Sequence, residues 1–135
     1  MQLLEFQAKE LFREYGISLL DSISSTNIEE GRKHAKELGY PFVIKIQVPV
    51  GGRGKAGGIQ KCQNDDEFDI KYPQVMDLEI KGEKARAILL EKMADIKKEL
   101  YLSIFLNRSK DATQLLHQQK EELKLSQLKV KSLKK

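Results

Sequence analysis

Five glycines fall within eight residues at Gly51-Gly52-Arg53-Gly54-Lys55-Ala56-Gly57-Gly58. Neither helix nor strand tolerates that density, because glycine has more backbone freedom to lose than any other residue. The segment is therefore a loop. It separates two apolar runs, Phe42-Val43-Ile44-Lys45-Ile46-Gln47-Val48 and Ile59-Gln60-Lys61-Cys62, and both read as strands. A strand, a glycine-rich turn and embedded cations suggest an anion site. Successive backbone N–H groups in such a turn form a concave nest for phosphate oxygens, and Lys45, Arg53 and Lys55 add charge.

Three loop patterns can be tested. A Walker A loop fails: Ala56 follows Lys55 where Ser or Thr is needed, and Pro49 stands at the first glycine position. A Gly-x-Gly-x-x-Gly pattern matches at Gly52, Gly54 and Gly57. It should open a helix, however, and Ile59-Gln60-Lys61-Cys62 is a poor helix start. A hairpin whose glycine loop folds over a nucleotide fits strand, loop and strand together; the plainer alternative is a mobile surface connection. Lys45 is central in an apolar strand, where a lysine without a partner is costly. It is either a site residue or the solvent-facing lysine of an edge strand. Glu91 closes the apolar run Ile88-Leu89-Leu90, and Glu99 opens the next run. Carboxylates at such a connection accept from ribose hydroxyls, or they are ordinary solvated acids.

Around the hairpin the chain reads as α/β. Leu4, Ala8, Leu11, Phe12 and Tyr15 share one helical face, with Gly16 as a stop, so a first helix is expected whose apolar stripe needs a partner. Ser22 to Ser25 is a short β-like stretch. Thr26 with Glu29 makes a capping box, which starts a second helix through Ala35 and Leu38 to Gly39. Asn64-Asp65-Asp66-Glu67 starts a short helix to about Tyr72. Ala85 to Met93 and Leu100 to Leu106 are strand candidates, and the turn Asn107-Arg108-Ser109-Lys110-Asp111 calls for a hairpin partner after it. His34, between Lys33 and Lys36 and without a ligand-spaced neighbour, reads as a surface residue. Cys62 reads as a small buried apolar side chain.

Other classes fall away. One cysteine excludes an internal disulfide framework and a multi-cysteine zinc cage. There is no Ser-His-Asp order and no paired-carboxylate hydrolase signature. No apolar run approaches the roughly 18 residues of a membrane span. Met1 to Tyr15 is charged and amphipathic, unlike a secretory signal, so the cytoplasm is the expected compartment. The net charge of +4 hints at nucleic acid, but it belongs to one tail. Gln114 to Lys135 holds six lysines and two glutamates, leaving eighteen basic and eighteen acidic residues elsewhere. That tail has no Gly, Pro or aromatic residue. A small binding protein with a nucleic-acid-contacting tail is the alternative of a different class. The neutral body and the lack of stacking aromatics in the tail argue against it.

Four segments in order carry a resemblance: Leu4-Glu5-Phe6-Gln7-Ala8-Lys9-Glu10-Leu11-Phe12 with Tyr15-Gly16, the strand Val43 to Val48, the loop Gly51 to Gly58, and Leu90 to Leu102. Over residues 1 to about 112 the chain resembles the β subunits of succinate–CoA ligases, and sister ADP-forming acetate or malate ligases share much of the pattern. The resemblance implies the N-terminal portion of an ATP-grasp fold over 1–112, with an incomplete sheet and packed helices. Residues 113–135 then form a lysine-rich tail, helical or disordered. It implies a two-subunit enzyme of the tricarboxylic acid cycle that joins succinate and CoA, using ATP or GTP with Mg²⁺. The partner is an α subunit bearing a transiently phosphorylated histidine; a regulatory stub that only binds that subunit is a further alternative. By matching position, Lys45 contacts phosphate, and Gly52, Arg53 and Gly54 form the loop over the nucleotide. Glu91 and Ala94 line the adenine connection, and Glu99 accepts from the ribose. No catalytic or Mg²⁺-ligating residue carries over, so this chain alone is expected to lack ligase turnover. Pro49-Val50 departs from a common His-Ala pair and is expected to tune the loop, not to abolish binding.

Beyond the turn at Asn107 the family continues with a strand like Ile-Ala-Ser-Thr-Glu-Gly-Gly-Val-Glu-Ile-Glu. Read with codons offset by one nucleotide, Leu115 to Ser126 can encode that strand, every step being allowed by the genetic code. A frameshifted tail is therefore expected, leaving the strand at Leu100 to Leu106 without its native partner and with an open apolar edge. The tail could form an amphipathic helix through Leu115, Leu116, Gln119, Leu123 and Leu125. Re-reading the gene across Arg108 to Ser126 from fresh genomic DNA is expected to restore Ile-Ala-Ser-Thr in the shifted frame; a shifted frame that does not continue the family sequence overturns this.

Overall fold

The computed structural model describes residues 2–107, 112–119 and 129–133. In chain order its elements are α1 (Glu5–Glu14), β1 (Ser22–Ser25), α2 (Ile28–Leu38), β2 (Phe42–Gln47), β3 (Ile59–Cys62), α3 (Asp65–Met76), β4 (Glu79–Ile80) and β5 (Glu83–Lys84). β6 (Ala87–Lys92), β7 (Leu100–Asn107), β8 (Ala112–Gln119) and β9 (Lys129–Leu133) follow. They divide into two units, Met1–Ala94 and Asp95–Lys135.

The first unit is built on an antiparallel sheet of order β1-β6-β2-β3. β2 and β3 are the two arms of the glycine hairpin, with Lys45 opposite Ile59 and Phe42 opposite Cys62. On its other side β2 pairs with β6, setting Lys45 opposite Leu89 and Val43 opposite Glu91. Side chains alternate across the sheet. Phe42, Ile44 and Ile46 of β2 join Ile88 and Leu90 of β6 on one buried face, where Ala35, Phe68, Tyr72 and Val75 from the helices cover them. Phe68 stacks edge-on against Phe42 at 6.3 Å between ring centres and lies 5.0 Å from Tyr72. The Tyr72 hydroxyl donates to the Asn27 carbonyl at 2.8 Å and lies 2.9 Å from Ser25 Oγ, so its one buried polar group is satisfied.

The helix ends follow their caps. Asn27 caps α2, its side chain accepting from the Glu30 N–H at 2.9 Å. Glu30 reaches back to the Thr26 N–H at 3.0 Å. The expected Thr26–Glu29 capping box is therefore not formed: Asn27, at least as strong a cap as Thr, is the N-cap, and Glu30 reaches past it to the Thr26 N–H. Asn64 caps α3 in the same way, through the Glu67 N–H. α3 runs past Pro73 to Met76, beyond the expected end near Tyr72; Val75 is fully buried and rewards the extra turn. The short hairpin β4–β5 was not foreseen; Lys81 and Gly82 turn it with positive φ at both positions. His34 is not a plain surface residue: its Nδ1 is buried and has no hydrogen-bond partner among the described residues. Cys62 is fully buried as expected, and burial pushes its thiol up.

α1 is where the amphipathic reading fails. Its apolar stripe does not face the sheet: Leu11, Phe12 and Tyr15 are exposed, and no residue of the helix is buried. Leu4, just before it, is buried, with its N–H donating to Gln7 Oε1 at 2.9 Å.

The second unit corrects the reading of the tail. β8 pairs antiparallel with β7 along its whole length, from Leu100 opposite Gln119 to Asn107 opposite Ala112. β9 pairs in turn with β8. The strand at Leu100 therefore has a hairpin partner, and Leu115 to Gln119 lie in a strand, not a helix. Leu123 and Leu125 lie outside the described residues, as do Arg108 to Asp111 of the turn. Leu-rich segments of this length suit either state, and the adjacent unpaired strand decides it. In β7, Leu100, Leu102 and Ile104 remain exposed, as does Tyr101.

Gly31 fixes the contact between α2 and α3. A Cβ there would sit 2.6 Å from Tyr72 Cε2, on a ring held by two hydrogen bonds. Alanine's helix preference is worth about 1 kcal/mol, but overpacking against a fixed ring costs about 1–3 kcal/mol. Gly31→Ala is therefore expected to lower the urea midpoint, and an unchanged or raised midpoint contradicts this packing.

Candidate functional site

The face of the sheet opposite the core carries Val43, Lys45 and Gln47 of β2, with Leu89 and Glu91 of β6 in register beside them. Here Lys45 is neither an edge lysine nor a solvated one. Its ammonium donates to Glu91 Oε1 at 2.5 Å and to Glu5 Oε1 at 2.9 Å. The second oxygen of Glu5 accepts from Arg53 Nη1 at 2.9 Å, and the second oxygen of Glu91 pairs with Lys9. Three cations and two carboxylates thus form one chain of contacts: Arg53, Glu5, Lys45, Glu91, Lys9. The Glu91 side chain is 9% exposed and that of Lys45 18%, so water screens these pairs less than it would on an open surface.

Each partner comes from a different element. Glu5 and Lys9 are one helical turn apart on α1, so both reach the sheet. Glu91 is on the central strand β6, and Arg53 projects from the glycine loop, where it also donates to the Ile46 carbonyl at 3.4 Å. Gln47 seals the edge: fully buried, it accepts from the Phe6 N–H and donates to the carbonyls of Lys45 and Ile46, each at 3.3 Å.

The loop is ordered at one end and open at the other. Ala56 N–H donates to Gly52 O, Gly57 N–H to Gly54 O, and Gly58 N–H to Arg53 O at 2.9 Å. These amides cannot serve a ligand as they stand. Those of Gly51 to Lys55 donate to no group among the described residues, so the amides open to a ligand there are those of the first half. Gly58 needs its missing side chain, since a Cβ would lie 2.4 Å from Ile46 Cγ2. Gly52 and Gly57 adopt positive φ.

The structure brings together Lys45, Arg53 and Glu91, with Gly52 and Gly54 flanking Arg53 in the loop. Ala94 is exposed two residues past β6, at the end of the first unit. Glu99 is exposed just before β7, in the second unit. Glu5, Lys9 and Gln47 were not singled out as site residues. Their signals were present: Glu5 and Lys9 have i,i+4 spacing off the apolar stripe, and Gln47 interrupts an apolar strand.

The ATP-grasp domain family matches residues 2–124. The chain belongs to the ATP-grasp family. The match extends twelve residues past the seam near residue 112. Among curated relatives, the succinate–CoA ligase [ADP-forming] subunit beta of Rubrobacter xylanophilus is 40% identical over 108 residues, 80% of this chain and 28% of that protein. The subunit of the same name from Halobacterium salinarum is 38% identical over 112 residues, 83% of this chain and 29% of that protein. This ATP-grasp chain therefore spans under a third of the length of those relatives. Solved structures share its fold. A Pyrococcus horikoshii protein superposes with a TM-score of 0.83 at 17% identity, covering 97% of this chain and 58% of that one. The dinucleotide forming acetyl-coenzyme A synthetase 1 of Ca. Korarchaeum cryptofilum, in complex with coenzyme A and Ca-AMPCP, gives 0.80 at 20% identity, covering 96% and 59%.

Burial alone would raise the Glu5 carboxyl; Lys45 and then Arg53 outweigh it and hold the group below its ordinary value of 4.5. Burial would likewise lower Lys45, but Glu91 and Glu5 hold it above its ordinary 10.5. For a depressed carboxyl, stability is fully present above 4.5 and is lost as pH falls through the lower folded value. Glu5→Gln is accordingly expected to flatten the fall in stability below pH 4.5 in urea titrations at stepped pH. An acid limb equally steep in both proteins refutes the pairing.

Proposed function

We propose that this chain is the nucleotide-binding N-terminal part of a succinate–CoA ligase β subunit. In that reading the enzyme converts succinate, CoA and ATP to succinyl-CoA, ADP and phosphate, with an α subunit supplying the phosphorylated histidine. The observation that carries it is the convergence of Lys45 and Arg53 beneath a glycine hairpin whose first amides are open. The 38–40% identity to subunits of that name supports the choice of acid. The acetate or malate relatives are the alternative; the acetyl-coenzyme A synthetase likeness, at 20% identity, speaks for the fold alone.

Lys45 and Arg53 neutralise phosphate oxygens, and the amides from Gly51 to Lys55, through Gly52 and Gly54, close over them. Glu91 and Ala94 flank the adenine, and Glu99 accepts from the ribose. Whether the base is adenine or guanine is set outside these contacts. Mg²⁺ travels with the nucleotide; among the described residues no group of three or more His, Cys, Asp or Glu could hold a metal ion. What this chain supplies is positive charge and open amides. A cytoplasmic setting goes with this reading, and among the described residues no helix is long and apolar enough to cross a membrane.

Equilibrium titration with ATP tests the site. The chain is expected to bind ATP, and Lys45→Gln or Arg53→Gln to weaken that binding by about 10- to 100-fold, the scale of a lost hydrogen bond to a charged group. Equal affinity in all three proteins, with folding intact by circular dichroism, removes the assignment.

A further inference from the structure

In the unliganded chain the two phosphate-binding cations are already bridged by an internal anion. Glu5 presents one carboxylate oxygen to Lys45 and the other to Arg53, both at 2.9 Å. A phosphate group offers oxygens at a spacing close to that of a carboxylate and seeks the same donors. We propose that Glu5 occupies the phosphate position between Lys45 and Arg53, and that an incoming nucleotide phosphate displaces it and loosens the first turn of α1. This rests on the nucleotide reading above and adds a built-in competitor to that site.

Of the two carboxylates on Lys45, Glu5 is the one able to leave. Glu91 belongs to the central strand β6, is 9% exposed at its side chain and keeps Lys9 as a second partner. Glu5 sits in the first turn of α1, 23% exposed, on a helix with no buried residue. The apolar stripe that would normally anchor such a helix, Leu11, Phe12 and Tyr15, is exposed. With Glu5 displaced, α1 is held by buried Leu4, the Phe6–Gln47 bond, the Lys9–Glu91 pair and Arg13, which donates to Ser22 Oγ at 3.0 Å. Displacing Glu5 removes ion pairs of the first turn and leaves the Arg13 contact of the last turn untouched, so the loosening falls on the first turn.

Two measurements on the full chain test this. In titrations with ATP, Glu5→Gln removes the competing charge while keeping the side-chain size, and it is expected to bind about tenfold more tightly than wild type or better, since like charges brought together are strongly unfavourable. In hydrogen exchange on the unmodified protein, saturating ATP is expected to speed exchange in the segment from Ala8 to Lys9, while the β2 and β6 amides slow or stay unchanged. If wild type binds ATP and Glu5→Gln binds no more tightly, or if α1 exchange slows on binding, the competitor role is overturned and the nucleotide site stands. If neither protein binds ATP while both melt cooperatively, the nucleotide reading falls and this inference with it. Lys45→Gln in the Glu5→Gln background must lose the gained affinity; if it does not, the gain arises elsewhere and the competitor role is again overturned.

Discussion

Everything on the outer face of the first unit depends on the placement of one lysine. Lys45 lies mid-strand between Ile44 and Ile46, on the side of β2 away from the core. An ammonium in so sheltered a position demands counter-charge. Two carboxylates answer it, one from the neighbouring strand and one from a helix forty residues earlier in the chain. Each carboxylate has a second oxygen, and each second oxygen recruits a further cation, Arg53 from the loop and Lys9 from the helix. Demand for charge balance thus propagates outward and fixes the loop and α1 to the sheet. Removing one member would strand its partner, the circumstance in which sheltered ion pairs matter most.

The two faces of the sheet are held by different forces. The face toward α2 and α3 is a close-packed apolar layer with four aromatic rings in contact, Tyr40, Phe42, Phe68 and Tyr72, and its geometry is set by volume, as the tight approach of Gly31 to Tyr72 shows. The opposite face is held by directional charge and by Gln47. Apolar packing is insensitive to anions, whereas a charge network is not. Under the proposed reading, a phosphate would reorganise the outer face and leave the inner one in place.

Much of this was legible in the residues. Alternation and cap residues located β1, β2, β3, β6 and β7, and the glycine density located the loop between β2 and β3. What misled is instructive. Amphipathicity said that α1 should bury Leu11 and Phe12, yet the sheet face it meets carries Lys45, Glu91 and Gln47, so its charged side turns inward. Periodicity reports which residues share a face, not what the neighbouring surface wants. The cap shifted from Thr26 to Asn27 because adjacent residues both qualify and only backbone geometry chooses between them. The segment Ala112–Gln119 took a strand against β7, where its leucines were equally compatible with a helix. There, too, the partner decided and the local sequence did not.

The asymmetry of the loop follows from the same network. The amides of its second half, Ala56, Gly57 and Gly58, fold back onto the carbonyls of Gly52, Gly54 and Arg53, and Gly58 passes so close to Ile46 that no side chain fits. That half behaves as an extension of the β2–β3 hairpin. Its first half supplies those accepting carbonyls, and its one side-chain tether to the sheet is Arg53, which reaches Glu5 and the Ile46 carbonyl. A loop laced by its own backbone bonds keeps its shape when the partner of one side chain changes. Under the proposed displacement, only the Arg53 tether to Glu5 would change hands, and the bonds from Ala56, Gly57 and Gly58 would keep the loop folded around it.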